Sequence, residues 1–170
     1  MFGSHVGSGF YRIMALLTII GIGNRLRGDD AIGPLAIDAL KALNRPELEL
    51  IDAGSDALGV LEYFENKQRV LLIDACLMGR KPGTVIGFEP AEAQLILNQD
   101  PLSLHGLGLS EALAMAGSLK LLPEELKIYG IEPDSIQFEE QLSPAMAEAL
   151  ESVVAEVQNE LQKVGGIPQN

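Results

Sequence analysis

Residues 18–35, TIIGIGNRLRGDDAIGPL, decide the fold class because they combine an apolar run, a glycine loop and the start of a helix. The apolar run that ends at Gly21 predicts a first buried strand. Pro34 falls in the first turn of the next element, where a proline is tolerated. Beyond it, apolar side chains recur with helical spacing at Leu35, Ala36, Ala39, Leu40 and Leu43. A strand followed by an amphipathic helix is the first half of a βαβ unit.

The same alternation continues along the chain. Runs typical of strands occupy residues 47–54, 68–75, 81–90 and 126–133, and helical periods occupy residues 56–66, 108–122 and 143–166. Ser110 and Ser143 are candidate N-caps of the last two helices, and Pro144 suits a first helical position. We therefore predict an α/β fold, a three-layer α-β-α sandwich around a five-stranded, mostly parallel sheet in the order β-α-β-α-β-β-α-β-α.

The composition indicates one globular domain and excludes some partners. The chain has 170 residues, of which 47% are hydrophobic, enough for the core of a single domain. Its formal charge of −12 would repel a nucleic-acid backbone or an anionic membrane surface. Cys76 is the only cysteine, so the chain has no internal disulfide and requires no oxidising compartment.

The N-terminal segment shows no structural period. We interpret residues 1–13 as an extension or an expression remnant, and residues 14–170 as a single α/β domain. The apolar run MALLTII at residues 14–20 is too short to span a bilayer, which takes about 20 residues. We expect a cytoplasmic protein.

Acidic residues follow the predicted strands. Asp30 closes the loop after the first strand, and Asp52 and Asp74 come at the ends of the second and third strands. Ligand sites in such folds lie outside the carboxyl ends of the strands. His105 precedes the helix at 108–122 and is placed to approach Asp30 and Asp74 from the same side.

A dinucleotide site is the first interpretation of the glycine loop. Gly21 and Gly23 match the first two glycines of the G-x-G-x-x-G fingerprint, but Leu26 replaces the third. Asp29 and Asp30 would oppose a pyrophosphate at the point where the fingerprint needs a positive helix end.

A divalent cation is the second interpretation. Asp30, Asp74 and His105 supply two carboxylates and an imidazole, which suit nickel, zinc or manganese. The pattern alone leaves ordinary alternatives open, in which Asp29 and Asp30 cap a helix, Asp74 bonds a loop amide and His105 is structural. Arg25 and Arg27 flank the loop as candidate partners for substrate carboxylates, or as solvated side chains.

Six short motifs in a fixed order resemble the maturation endopeptidases of nickel-iron hydrogenases. The likeness extends from about Leu16 to Leu150. The motifs are GIGN-x-L-x-x-DDAIGP at 21–34, IDAG at 51–54, LIDA at 72–75, PGT at 82–84, His105 before GL-x-LSEAL, and GIEPDS at 130–135.

The resemblance implies an enzyme that removes the C-terminal extension of the hydrogenase large-subunit precursor once nickel has been inserted. It assigns metal contact to Asp30, Asp74 and His105, and the chemistry of the two carboxylates makes Asp30 and Asp74 the candidate catalytic residues. The nickel would be carried by the substrate rather than held by the resting protein. Four further residues would shape the site, namely Gly23, Asn24, Asp52 and Gly54.

The group that performs hydrolysis stays open at this stage. A serine triad would need His105, and a cysteine protease would need Cys76, which the sequence IDACLMG favours as a packed residue. Two carboxylates can activate water as an acid and base pair, or nickel can polarise the carbonyl while Asp30 or Asp74 takes the proton. We favour the metal-assisted form. Two other functions remain, a hydrolase that keeps its own zinc or manganese and a nickel-sensing assembly chaperone that does not cut.

Overall fold

The structure, a computed structural model, describes residues 16–97 and 108–165. The predicted extension at residues 1–13 and His105 therefore lie outside the described residues. The strands are β1 (Leu17–Gly21), β2 (Leu48–Asp52), β3 (Arg69–Ala75), β4 (Val85–Phe88) and β5 (Glu125–Ile131). The α-helices are α1 (Ile32–Lys41), α2 (Ala93–Ile96), α3 (Leu109–Ser118) and α4 (Pro144–Gly165).

The five strands form one sheet in the order β2-β1-β3-β5-β4. The first four of these are parallel, and β4 runs antiparallel to β5. The predicted five-stranded, mostly parallel sheet is confirmed. The chain passes from β1 to β2 on one side and then to β3 on the other, so the order reverses between β1 and β3. A crevice at the carboxyl ends of the strands is expected at such a reversal.

Helices cover both faces of the sheet, as predicted. Successive strand residues point to opposite faces, so Ile19 and Leu71 enter one core while Ile20 and Leu72 enter the other. The first core is completed by α1 and α4, through buried residues that include Ile37, Leu40, Met146, Val153 and Val157. The second is completed by α3 and a 3₁₀ turn, through Val60, Phe64, Leu113 and Ala116. Two separate cores of this kind hold a three-layer sandwich together.

The start of α1 packs against β1 with almost no intervening side chain. A Cβ added to Gly21 would lie 2.3 Å from the carbonyl oxygen of Gly33, and one added to Gly33 would lie 2.2 Å from that of Ile22. Gly33 thus provides the close contact between helix and strand that the third glycine provides in the dinucleotide fingerprint. Gly33, seven residues after Leu26, therefore makes the close packing contact of the fingerprint's third glycine.

Two local predictions were wrong. The helix predicted at residues 56–66 is a 3₁₀ helix at Gly59–Phe64, since a short apolar run satisfies either period. Ser110 lies inside α3, whose N-cap is Gly108. Pro144 does begin α4, and the Ser143 Oγ accepts a 3.4 Å hydrogen bond from the Met146 N–H. Among the helices of the described ranges, none is long and apolar enough to cross a membrane.

Candidate active site at the carboxyl edge of the sheet

The loop after β1 turns back on itself through Gly23. Its backbone has φ of 144°, in the region that favours glycine, and a Cβ there would lie 1.8 Å from the carbonyl oxygen of Asp30. The Gly23 N–H also donates to the Gly54 carbonyl at 2.8 Å, which joins the loops after β1 and β2. Any larger residue at position 23 would displace the 3₁₀ turn Gly28–Ala31 that carries Asp30.

Asp30 is oriented by the backbone of the same loop. The Asn24 N–H donates to Asp30 Oδ2 at 3.1 Å, and the Asn24 Oδ1 accepts a 2.9 Å bond from the Leu26 N–H. The side chain of Asn24 therefore stabilises the turn whose backbone holds Asp30. The Asp30 residue is half-buried at the edge of the sheet, where a ligand can reach it.

Asp74, the second-last residue of β3, is the electrostatic partner of Asp30. It is 9% exposed, and burial raises its pKa well above the usual range. The negative charge of Asp30 raises that pKa further, while a hydrogen bond from the Ala75 backbone lowers it. Two of the three predicted metal-side residues, Asp30 and Asp74, therefore interact electrostatically at this edge of the sheet. Two neighbouring carboxylates in a poorly solvated place favour a shared proton or a cation.

The third predicted residue, His105, lies outside the described residues, so its approach to the carboxylates stays a prediction. Within residues 16–97 and 108–165, no group of three or more histidine, cysteine or acidic side chains is arranged to hold a metal ion. Of the three predicted metal-side residues, the described part of the site contains Asp30 and Asp74.

Arg25 binds carboxylates of its own chain. Its guanidinium donates to Asp38 at 2.6 Å and to Asp52 at 2.8 Å, and these hydrogen bonds, that to Asp38 foremost, raise its pKa above the usual value. The Asp52 Oδ1 accepts a 3.0 Å bond from the Gly54 N–H. Asp52 thus holds the Gly54 turn, where φ is +65°, and links it through Arg25 to the loop that orients Asp30. Pairing within the chain makes Arg25 a poor candidate for binding substrate.

Asp29 has a structural role that the sequence does not reveal. This residue is 1% exposed, and its carboxylate accepts four hydrogen bonds. The donors are the backbone N–H groups of Asp134 (2.8 Å), Ser135 (3.1 Å) and Ser143 (2.7 Å), and the Ser143 hydroxyl (3.0 Å). No side-chain bond from Asp29 caps a helix. The carboxylate beside Asp30 instead fixes both ends of the loop between β5 and α4.

Glu132 has a similar structural role at the end of β5. Its buried Oε2 accepts bonds from the N–H groups of Met78 at 2.7 Å and Arg80 at 3.0 Å. These bonds hold the loop that follows β3. Of the acidic residues at this edge of the sheet, Asp29 and Glu132 thus fix loops through hydrogen bonds to backbone N–H groups.

Cys76 is a poor nucleophile in this position. The thiol is buried, and burial raises its pKa well above the usual value. The negative charges of Asp74, Glu132 and Asp30 raise that pKa further. Because the thiolate is the reactive form, these surroundings suppress it.

Most of the chain matches a known protein family. Residues 35–160 match a family model described as hydrogenase maturation protease. The chain belongs to this family. It is 29% identical over 146 residues to the hydrogenase expression/formation protein HupD of Thiocapsa roseopersicina, covering 79% of the chain and 66% of HupD. It is 25% identical over 152 residues to the hydrogenase 2 maturation protease of Escherichia coli, covering 88% of the chain and 92% of that protein.

Solved structures of maturation proteases share the fold. The hydrogenase maturating endopeptidase HybD from Escherichia coli has a TM-score of 0.72 at 25% identity, covering 88% of this chain and 93% of HybD. The [NiFe] hydrogenase maturation protease HycI from Thermococcus kodakarensis has a TM-score of 0.65 at 27% identity, covering 86% and 92%. The predicted family and its hydrolase class are confirmed. The match to the family model includes Asp74 but begins after Asp30, so the role of the first loop in this maturation protease rests on its geometry.

Proposed function

We propose that this maturation protease removes the C-terminal extension from the large-subunit precursor of a nickel-iron hydrogenase in the cytoplasm, after nickel has been inserted. Its membership of the family supplies the class of reaction. The observation that carries the rest is the pairing of Asp30 with Asp74 at the reversal point of the sheet. This pair is the part of the described site with the negative charge and the access that a substrate-borne cation needs.

Nickel fits this pair as part of the substrate. A divalent cation between Asp30 and Asp74 would offset the burial, and the repulsion from Asp30, that raise the pKa of Asp74. Carboxylates suit a borderline ion when imidazole or thiolate completes the coordination, and we propose His105 for the imidazole. Ligands on both proteins would then be required at once. An empty precursor would lack the cation that draws its chain to the two carboxylates.

In the proposed site, an aspartate carries a proton from the attacking water to the leaving nitrogen. When bound with the substrate, nickel would polarise the scissile carbonyl, and one of the two aspartates would accept the proton of the water that attacks the carbonyl carbon. The C–N bond then breaks, and the carboxyl group returns the proton to the leaving nitrogen. Burial of Asp74 raises its pKa, which makes its carboxylate the better proton acceptor before the cation binds. A metal-free pair would work as an aspartic protease, but the two charges would then lack a counter-ion.

Four residues support the reacting groups in this proposal. Gly23 and Asn24 set the position of Asp30, through a turn closed to side chains and a 3.1 Å backbone bond. Asp52 and Gly54 hold the neighbouring loop against Gly23. These four residues position the loops around Asp30 and contact no reacting atom.

Mass spectrometry of the precursor tests the function. The protein is incubated with purified large-subunit precursor, with and without nickel, and the masses of the products are measured. We expect one defined C-terminal peptide, released only from the nickel-loaded precursor. Cleavage without nickel by a protein that retains zinc or manganese through dialysis would instead identify a stand-alone hydrolase. A stable complex with no released peptide would identify a non-cleaving chaperone.

Substitution of Cys76 tests the cysteine-protease alternative. Because burial and three nearby carboxylates suppress the thiolate, Cys76→Ala should cleave the nickel-loaded precursor within about twofold of the parent rate. The measurement is the initial rate of peptide release, with the thermal midpoint of each protein as a control for folding. A loss of about 100-fold or more in a folded Cys76→Ala protein would make the thiol the nucleophile.

The raised pKa of Asp74 predicts how stability depends on pH. Folded Asp74 binds its proton more tightly than the unfolded chain does, so ionisation destabilises the metal-free fold as pH rises above about 4. Asp74→Asn keeps the shape without the charge. Its free energy of unfolding at pH 7 should exceed that of the parent by about 1 kcal/mol, and the difference should shrink towards pH 4. Urea unfolding in the presence of a chelator measures both. A parent protein that is the more stable of the two at pH 7 would contradict the assignment.

A further inference from the structure

Large apolar side chains stand exposed beside the proposed active site. Phe138 is 79% exposed on the loop between β5 and α4, and Leu26 is 66% exposed on the loop between β1 and α1. Ile136 is also exposed on the first of these loops. We name Leu26, Ile136 and Phe138 the apolar rim. Single exposed apolar residues are common, but several on adjoining loops at a functional edge indicate a contact surface.

The two loops that carry the apolar rim are bound to each other. The Gly28 N–H donates to the Glu139 carbonyl at 2.8 Å, and the Arg27 guanidinium lies 5.3 Å from the centre of the Phe138 ring. The Asp29 carboxylate holds the β5–α4 loop at both ends, through Asp134 and Ser143. Phe138 is therefore presented on an ordered loop although the fold does not bury it. An exposed aromatic side chain held in place loses little entropy on binding, as binding hot spots require.

The apolar rim includes a residue of the loop that carries Asp30. Leu26 lies within the turn that Asn24 closes, and the backbone of that turn orients Asp30. The carboxylates of Glu139 and Glu140 are exposed next to Phe138. The Arg27 guanidinium lies against the Phe138 ring, so the exposed carboxylates of Glu139 and Glu140 are the charges that favour a segment pairing an apolar side chain with lysine or arginine.

We propose that the apolar rim is the docking surface for the hydrogenase large-subunit precursor, which it contacts through an apolar segment flanked by basic residues. This proposal rests on the proposed function for the identity of the partner. The rim supplies affinity, and Asp30 and Asp74 act on the scissile bond. The two roles separate because Leu26 and Phe138 project into solvent, whereas Asp74 is buried in the sheet.

Serine substitutions test the docking surface. We expect Leu26→Ser and Phe138→Ser each to raise the Kd for nickel-loaded precursor about tenfold, and KM in proportion, with kcat within about twofold of the parent. Phe138→Leu should bind nearly as well as the parent because it keeps the apolar contact. Leu119→Ser is the matched control, since Leu119 is 58% exposed near the start of β5, at the opposite edge of the sheet. Glu139→Lys with Glu140→Lys should weaken binding most at low salt.

Biolayer interferometry gives the Kd values, and peptide release gives kcat and KM. Kd values within twofold of the parent for both Leu26→Ser and Phe138→Ser would overturn the proposal. So would a fall in kcat at unchanged Kd, because the rim would then shape the site rather than dock the partner. Equal weakening by Leu119→Ser would show a general loss of folding or solubility. If the parent binds the precursor without cutting it, the proposed function fails while the Kd series still decides the docking surface.

Discussion

Replacement of Asp30 or Asp74 by alanine should reduce cleavage of the nickel-loaded precursor by about 100-fold or more. In the proposed mechanism, each substitution removes a group that contacts the substrate cation and can accept the proton of water, and a single acid-base group contributes about 10² to 10⁴ in rate. The two losses should not add, because the carboxylates act as a pair. Initial rates of peptide release measure the effect in both single variants and in the double variant.

Asp134→Ala provides the matched control for these variants. Asp134 is an exposed aspartate at the same edge of the sheet, and it contacts Asp29 through its backbone N–H, which alanine retains. Its cleavage rate should stay within about twofold of the parent. Parent-like cleavage by a folded Asp30→Ala or Asp74→Ala protein would remove that residue from the mechanism.

Replacement of Asp29 by alanine should have its largest effect on stability. The change leaves three backbone N–H groups and a hydroxyl without their buried acceptor, and each such loss costs about 1–3 kcal/mol where water cannot enter. Partial rehydration of the loop reduces the sum, so we expect the free energy of unfolding to fall by about 3 kcal/mol. Urea unfolding at neutral pH measures the difference.

The adjacent residue is the control. Asp30→Ala removes a half-buried carboxylate and should change the free energy of unfolding by less than about 1 kcal/mol. Of these two neighbouring residues, Asp29 would then contribute mainly to stability and Asp30 mainly to activity. A loss below about 0.5 kcal/mol for Asp29→Ala would show that the loop between β5 and α4 is held mainly by other contacts.

Sequence periodicity predicts this fold because β1 and most of β3 are continuous apolar runs. The runs before Gly21 and Asp74 have few alternatives to a buried parallel strand. The pairing of Asp30 with Asp74 follows from the same reasoning, since the carboxyl ends of adjacent parallel strands meet at one edge. The 3₁₀ helix Gly59–Phe64 was mistaken for an α-helix because six residues are too few to separate the two periods.

Long-range hydrogen bonds explain what the sequence could not predict. The Asp29 carboxylate bonds groups 105 to 114 residues away, and no local pattern encodes these contacts. The role of Glu132 is equally hard to predict. The sequence shows an acidic residue at a strand end, but not whether its side chain is solvated or accepts hydrogen bonds from the backbone N–H groups of Met78 and Arg80. Arg25 resembles a substrate-binding residue until its bonds to Asp38 and Asp52 are known.

Anomalous scattering at the nickel edge, from crystals of the protein with nickel-loaded precursor bound, tests the central claim that Asp30, Asp74 and His105 meet at one ion. We predict a single strong peak about 2 Å from an oxygen of each carboxylate and from a ring nitrogen of His105. Ligands of the precursor would fill the remaining positions. Nickel bound elsewhere, or His105 ordered on another face of the sheet, would contradict the proposed metal-assisted mechanism.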